Sequence, residues 1–86
     1  MTRLFQPPVE IAVETDADGR PLGFRWQERR HQVLRVEQYW RIDTDWWSSA
    51  GHTARAYFAV ITQAGLLCVL YHDQVTGIWY LSSAYD

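Results

Sequence analysis

The sequence contains no lysine, one cysteine and no long apolar segment. All eight basic residues are arginine, and Cys68 lies in the apolar run 66–70, which is typical of an inert core thiol. A single cysteine excludes an internal disulfide and a zinc cluster built on cysteines. No apolar run approaches the roughly 18 residues that span a bilayer, and residues 1–8 lack the apolar segment of a signal peptide. We therefore expect a cytoplasmic protein that does not enter a membrane.

Sequence signatures of catalysis are missing too. There is no Gly-x-Ser-x-Gly motif, phosphate-binding loop or dinucleotide fingerprint, and the three histidines have neither metal-binding spacing nor a cysteine partner. A small barrel filled with aromatic side chains also leaves little volume for a pocket of the ~300 Å³ that substrates need. We expect no catalytic residue, no metal and no cofactor. The enzymatic alternative would require a pocket that joins two kinds of group, which are His52 or His72 and Asp43, Asp45 or Asp73.

The residues that are present fit a small folded domain. Hydrophobic residues make up 48% of the 86 residues and charged residues 21%, which separates the chain from disordered proteins. Five tryptophans, five tyrosines and three phenylalanines can each bury roughly 150–250 Å², so a few large side chains form much of the core. The length allows one domain over residues 1–86, with residues 1–7 expected to be a flexible N-terminus.

Apolar and polar residues alternate with a period of two through most of the chain, which predicts β-strands. Short connections rich in turn-forming residues favour sequential antiparallel pairing, because parallel strands would need crossovers of about a dozen residues. The predicted fold is an all-β antiparallel meander of about six strands, curled into a small barrel or folded into a two-layer sheet. The predicted strands occupy six runs: 9–14, 22–26, 31–42, 54–61, 66–72 and 78–81.

The third run, 31–42, also fits a helix, but a strand collects its charged residues on one face, so we favour a strand. Its two parities predict two faces. The core-facing set is Leu34, Val36, Trp40 and Ile42. The exposed set is Val33, Arg35, Glu37, Tyr39 and Arg41.

The basic residues are concentrated in one part of a chain whose formal net charge is −2. Residues 25–41 hold five arginines against two glutamates, whereas residues 43–86 hold one arginine against four aspartates. If Arg25, Arg35 and Arg41 share an exposed sheet face with Tyr39, the surface combines charge with a stacking platform, as in sheets that hold single-stranded nucleic acid. The alternative is a solvated face whose arginines pair with carboxylates. The candidate nucleic-acid residues are Arg25, Arg29, Arg30, Arg35 and Arg41.

Adjacent tryptophans, Trp46 and Trp47, interrupt the longest stretch without periodicity, residues 43–52. Consecutive residues of an extended chain point to opposite sides, so one ring can enter the core while the other contacts a partner, or both can be buried. Tryptophan and tyrosine are enriched in the hot spots of protein interfaces. The candidate partner-binding residues are Trp46, Trp47, Tyr39 and Tyr57.

Several short motifs carry a family resemblance: Trp40-Arg41-Ile42-Asp43 with Asp45-Trp46-Trp47, then Arg55-Ala56-Tyr57-Phe58, Tyr71-His72-Asp73, and Gly77-Ile78-Trp79-Tyr80-Leu81. From about residue 8 to residue 86 the chain resembles a small bacterial domain of unknown function. That domain occurs as stand-alone proteins and at the C-terminus of inactive Y-family-polymerase-like proteins of the mutasome. The resemblance implies a link to DNA damage tolerance through protein contacts, and it offers no catalytic residues.

Two functions follow from these observations. The first is a non-enzymatic adaptor that binds another protein of a DNA repair complex through its aromatic loop and an exposed strand edge. The alternative is weak binding of single-stranded nucleic acid, without sequence preference, through the arginine-rich hairpin. Association is left open between a monomer, in which the sixth strand closes the barrel, and a two-fold dimer, in which that strand pairs with its copy. We favour closure.

Overall fold

Strands form where apolar residues alternate with polar ones, and they make up most of the chain. The computed structural model describes residues 2–43 and 53–85. Each strand pairs antiparallel with the next, and the last pairs with the first, so the sheet closes into a barrel. The predicted all-β meander is confirmed, and the barrel is the form that it takes. The strands are β1 Thr2–Thr15, β2 Pro21–Trp26, β3 Arg29–Asp43, β4 Ala54–Thr62, β5 Leu67–Asp73 and β6 Trp79–Tyr85.

Two long strands, β1 and β3, change partners along their length. β1 pairs with β6 through residues 2–4 and 9–11, with a register shift between Leu4 and Val9, and with β2 through residues 12–15. β3 pairs with β2 through residues 29–32 and with β4 through residues 33–43. Because β2 is only 6 residues long, it bridges the two long strands over a short distance. Along residues 33–43, the edge of β3 that faces away from β4 therefore has no strand partner within the described ranges.

Closure of the barrel by β6 joins the two ends of the chain, as we expected. Residues 2–4 pair with residues 83–85, so the segment predicted to be a flexible N-terminus contributes part of its length to the sheet. The described residues include no helix that could cross a membrane.

The core lies where the inner faces of the strands meet. On β4, Ala56, Phe58 and Val60 are buried, as their shared parity predicts. Cys68 is fully buried and forms no disulfide, in agreement with its apolar surroundings in the sequence. The buried core cluster consists of Ile11, Phe24, Ala56, Phe58, Val60, Cys68, Leu70, Leu81 and Ala84.

The faces of β3 differ from the prediction. Leu34 and Ile42 are 55% and 43% exposed, whereas Val33 packs against the core. The register shifts between Val33 and Arg35 and again between Val36 and Gln38. Each shift inserts an extra residue, and an extra residue reverses the faces beyond it. The core-facing prediction for Leu34, Trp40 and Ile42 is therefore wrong, and Val36 is the residue of that set that packs against the core.

Candidate functional site

A cleft of about 620 Å³ opens beside the free edge of β3 at the mouth of the barrel. It exists because β2 is too short to cover the second half of β3. This volume corrects the expectation that aromatic side chains leave little volume for a pocket. We call it the β3 cleft, and its lining residues are Asp18, Gly19, Arg20, Val36, Glu37, Gln38, Tyr39, Ala56, Phe58, His72 and Gln74.

The turn between β1 and β2 forms the wall of the cleft opposite β3. The Asp16 carboxylate accepts hydrogen bonds from the backbone N–H groups of Asp18 and Arg20, at 2.8 and 2.9 Å. Gly19 has φ of 83°, a value that glycine adopts without the steric cost of a Cβ atom. Local hydrogen bonding therefore fixes the position at which Asp18 and Arg20 meet the rim.

Two rings flank the apolar floor of the cleft. The ring of Tyr39 lies 5.0 Å from that of Phe58 between centroids, yet Tyr39 remains 52% exposed. The His72 ring stacks on Trp79 at 4.8 Å with an interplanar angle of 20°. Phe58 is buried, so the floor is apolar while the rim carries charge. This arrangement suits a large apolar side chain that enters from the free edge of β3.

The free edges of β1 and β3 differ in their capacity to pair. Residues 2–4 and 9–11 of β1 also pair on one side only within the described chain, but Pro7 and Pro8 lie between these two segments and have no backbone N–H. Proline is a common protection of sheet edges. Residues 33–43 of β3 contain no proline. The edge beside the cleft is therefore the one with a complete set of backbone donors.

The groups of the enzymatic alternative are only partly brought together. His72 lines the β3 cleft, but Asp43 and Asp73 do not. The Asp73 carboxylate instead accepts hydrogen bonds from the backbone of Val75 and Thr76, at 2.9 and 3.2 Å. His52 and Asp45 lie outside the described residues. Over residues 2–43 and 53–85, no group of three His, Cys, Asp or Glu side chains could hold a metal ion.

Four aromatic residues form a continuous row on the outer face of β3 to β6. Trp40 stacks on Tyr57 at 5.3 Å, and Tyr57 to Tyr71 and Tyr71 to Tyr80 are each 5.0 Å apart between ring centroids. Because these rings contact one another, the row connects four neighbouring strands through side-chain packing. Tyr57, a predicted partner-binding residue, lies in this row and not in the cleft. Trp46 and Trp47, predicted for the same role, lie outside the described residues.

Arg55 lies within the aromatic row and is held by two of its tyrosines. Its guanidinium carbon is 4.7 Å from the centroid of the Tyr71 ring, and its Nη1 donates to the Tyr57 hydroxyl at 3.4 Å. This hydrogen bond raises the pKa of Arg55 above its usual value. Burial raises the pKa of the Tyr71 hydroxyl, against the opposing charge of Arg55.

Arg25, Arg35 and Arg41 do not all share a face with Tyr39, so that part of the prediction is wrong. In the register with β4, Tyr39 and Arg41 pair with the inner residues Phe58 and Ala56, while Arg35 pairs with Ile61. Arg35 forms an ion pair with Glu37 beside the second register shift. Arg41 donates to the Gln74 side chain at 2.7 Å and lies 3.6 Å from an Asp43 oxygen. Arg25, Arg29 and Arg30 belong to the β2–β3 hairpin.

Sequence reasoning missed most of the residues that line the cleft, although the alternation along β5 indicates the position of His72. His72 has the parity of Leu70 and Cys68, which places it on the inner face at the end of β5. Asp18 and Arg20 offered no such signal, because their role depends on which strand the turn faces.

Comparison with known proteins was informative at the level of family. The model of a family described as a domain of unknown function, DUF6504, matches residues 1–86. Neither the curated proteins nor the solved structures gave a significant match to this chain. Because the family model spans the whole sequence, the protein belongs to the DUF6504 family.

Proposed function

We propose that this domain is a non-enzymatic adaptor that binds an extended segment of another protein along the free edge of β3. The observation that carries the proposal is a strand edge at residues 33–43 that has no partner among the described residues, with an apolar-floored cleft of about 620 Å³ directly beside it. In β-strand addition, main-chain hydrogen bonds supply affinity and pockets beside the edge select side chains.

The cleft defines the side chain that the partner supplies. Phe58 and Val36 form an apolar floor, and the exposed ring of Tyr39 and the stacked ring of His72 flank it. A large aliphatic or aromatic residue would bury its surface between these rings. Residues on either side of it in an extended segment would point away from the cleft, because side chains alternate along a strand.

The biological setting comes from the family resemblance. We propose that the partner belongs to a DNA damage tolerance or repair complex, as the resemblance to the mutasome-associated domain implies. Trp46, Trp47 and Tyr57 remain predicted partner contacts beyond the cleft, in keeping with the enrichment of aromatic residues in interface hot spots.

Partner capture followed by quantitative binding tests the proposal. A pull-down from cell extract with mass spectrometry identifies the partner, and the purified partner is then titrated against the wild type and two variants. Tyr39→Ser removes an exposed ring at the cleft, and a hot-spot loss of about 2 kcal/mol corresponds to roughly 30-fold weaker binding. Leu4→Ser is the matched control, because Leu4 is 71% exposed on β1 and does not line the cleft.

Hydrogen exchange supplies a readout specific to strand addition. Amides in residues 33–43 that point to the free edge should become protected when the partner binds. Failure to capture any partner would contradict the adaptor function. Equal binding by Tyr39→Ser and Leu4→Ser, or protection confined to other strands, would contradict the cleft as its site. Loss on Trp46→Ala and Trp47→Ala with no effect of Tyr39→Ser would move the interface to the tryptophan pair.

A further inference from the structure

The β2–β3 hairpin sets two positive charges directly opposite each other. Arg25 pairs with Arg30 in the antiparallel ladder. Among the cross-strand pairs of the described residues, this is the one that opposes like charges, and Arg55 opposite Asp73 is the one that opposes unlike charges. Like charges at directly opposed positions destabilise a sheet unless a counter-charge lies near.

A carboxylate balances only one of these two arginines. Glu14 on β1 reaches across β2 and accepts two hydrogen bonds from Arg30 on β3, at 2.8 Å from Nε and 3.1 Å from Nη2. Gly23 makes the crossing possible, because a Cβ at that position would lie 2.9 Å from Arg30 Nη2. Arg25 has no side-chain hydrogen bond or ion pair within the described ranges. Its charge is therefore exposed and available to a ligand.

A second positive group lies around the end of the same hairpin. Arg29 pairs with Trp26, whose ring contacts Phe5 and His31 on the inner side, so Arg29 and Arg30 point to opposite faces. Arg29 lines a shallow cleft of about 440 Å³ together with Arg30, His31, Gln32 and Gln63, and none of the residues lining it is a carboxylate. Arg29 also has no side-chain hydrogen bond or ion pair within the described part of the chain.

We propose that the β2–β3 hairpin binds the phosphate backbone of a single-stranded nucleic acid through Arg25 and Arg29, with Arg30 between them. Guanidinium groups match phosphate oxygens in geometry and charge. Arg25 and Arg29, which form no ion pair among the residues that the structure describes, lie on different faces, so the ligand must turn around the hairpin and carry more than one phosphate. A flexible single strand does both, whereas a duplex with a persistence length of about 150 base pairs resists such a turn.

The surface around Arg25 predicts contacts to the backbone and not to bases. Gly23 has no side chain, and its ladder partners Glu14 and Gln32 present no ring on which a base could stack. Phosphate contacts position a nucleic acid without reading its sequence. Binding at Arg25 should therefore be weak, dependent on salt and indifferent to base composition.

Fluorescence anisotropy with a labelled oligothymidylate tests the proposal at low and high salt. Arg25→Gln and Arg29→Gln should each weaken binding at low salt and each reduce the slope of log K against log salt by about 0.7, the value for one phosphate contact on a single strand. Arg35→Gln is the matched control, since the Arg35 side chain is already paired with Glu37 and lies beyond residues 29–32, where β3 pairs with β2. Glu28→Gln should tighten binding, because Glu28 lies in the hairpin turn and forms no ion pair within the described residues.

Each outcome decides the question. Binding at low salt that falls with Arg25→Gln and Arg29→Gln but not with Arg35→Gln supports the site. No binding at low salt overturns it, as does an equal loss from all three variants, which would indicate diffuse charge attraction. Tighter binding of a phosphoserine peptide than of the oligonucleotide would overturn the nucleic acid as ligand. Thermal unfolding of each variant confirms that it is folded, and replacing Arg25 or Arg29 removes no side-chain hydrogen bond or ion pair of the described residues.

Discussion

The two-residue turn between β2 and β3 should be a source of strain that mutation can remove. Gln27 and Glu28 have φ of 55° and 62°, and the flanking residues Trp26 and Arg29 pair directly. Positive φ at both central residues is the pattern of a type I′ hairpin, which Asn-Gly forms best. For other residues, the left-handed region costs roughly 1–2 kcal/mol per residue.

The expected gain follows from these magnitudes. Glu28→Gly relieves about 1–2 kcal/mol of steric cost and loses about 0.5–1 kcal/mol to the greater freedom of glycine in the unfolded chain. Gln27→Asn adds a few tenths of a kcal/mol at about the same backbone freedom. The double variant should therefore be more stable by about 1 kcal/mol, which raises Tm by roughly 4–8 °C in a domain of this size.

Thermal and urea unfolding measure the gain, and an unchanged m-value would show that the comparison is sound. Glu28→Ala is the matched control, because it removes the carboxylate but keeps a Cβ in the left-handed region. If Glu28→Ala stabilises the domain as much as Gln27→Asn with Glu28→Gly, the gain comes from charge. If the double variant has an unchanged or lower Tm, the strain argument is refuted.

Three further predictions concern pH and packing. The hydrogen bond and charge of Arg30 hold the pKa of Glu14 below its ordinary value of 4.5, so the stability that this pair contributes is present above that value and lost as pH falls below it. In a plot of the free energy of unfolding against pH, Glu14→Gln should therefore reduce the fall in stability at acid pH. An identical fall in the variant and the wild type would contradict this. Burial raises the pKa of Tyr71 above its ordinary value of 10.0, so the stability contributed by the neutral Tyr71 side chain is present below pH 10 and lost above it. The difference in tyrosinate absorbance between the wild type and Tyr71→Phe should titrate above pH 10.0. A midpoint at or below that pH would refute the effect of burial. Leu70 is fully buried in the core cluster, so Leu70→Ala should lower the free energy of unfolding, measured in urea, by about 2–5 kcal/mol. A loss below about 1 kcal/mol would contradict this and would mean that the core collapses into the cavity.

The strands and most of the core were predictable because period-two alternation is a local property. On β4, Ala56, Phe58 and Val60 alternate through one uninterrupted register, and their burial follows directly from parity. On β3 the same reasoning fails at Val33, which packs against the core, and again beyond Val36. The extra residue at each register shift depends on how β3 pairs with β4. The alternation of apolar and polar residues within β3 does not show where that pairing shifts.

The candidate site was harder to predict for a related reason. The β3 cleft depends on the contrast between a strand of 15 residues and a neighbour of 6, and the contrast was visible in the lengths of the two runs. The closing of the cleft by the turn at Asp18 and Arg20 was not visible, because it requires the three-dimensional path of β1. Tyr39 was chosen from its residue type, and the structure places it at the cleft through a change of face that the sequence does not reveal.

Pairing of β1 with β6 sets a condition on how the domain is made in the cell. Residue 2 is paired with residue 85, so the contact that closes the barrel joins residues far apart in the sequence. Contacts of long range slow folding, since the entropy of loop closure must be lost before they form. During synthesis the first strand leaves the ribosome long before its partner exists. The β1 edge therefore stays unpaired until β6 has been synthesised, and Pro7 and Pro8, which cannot donate to a foreign strand, protect that edge during the interval.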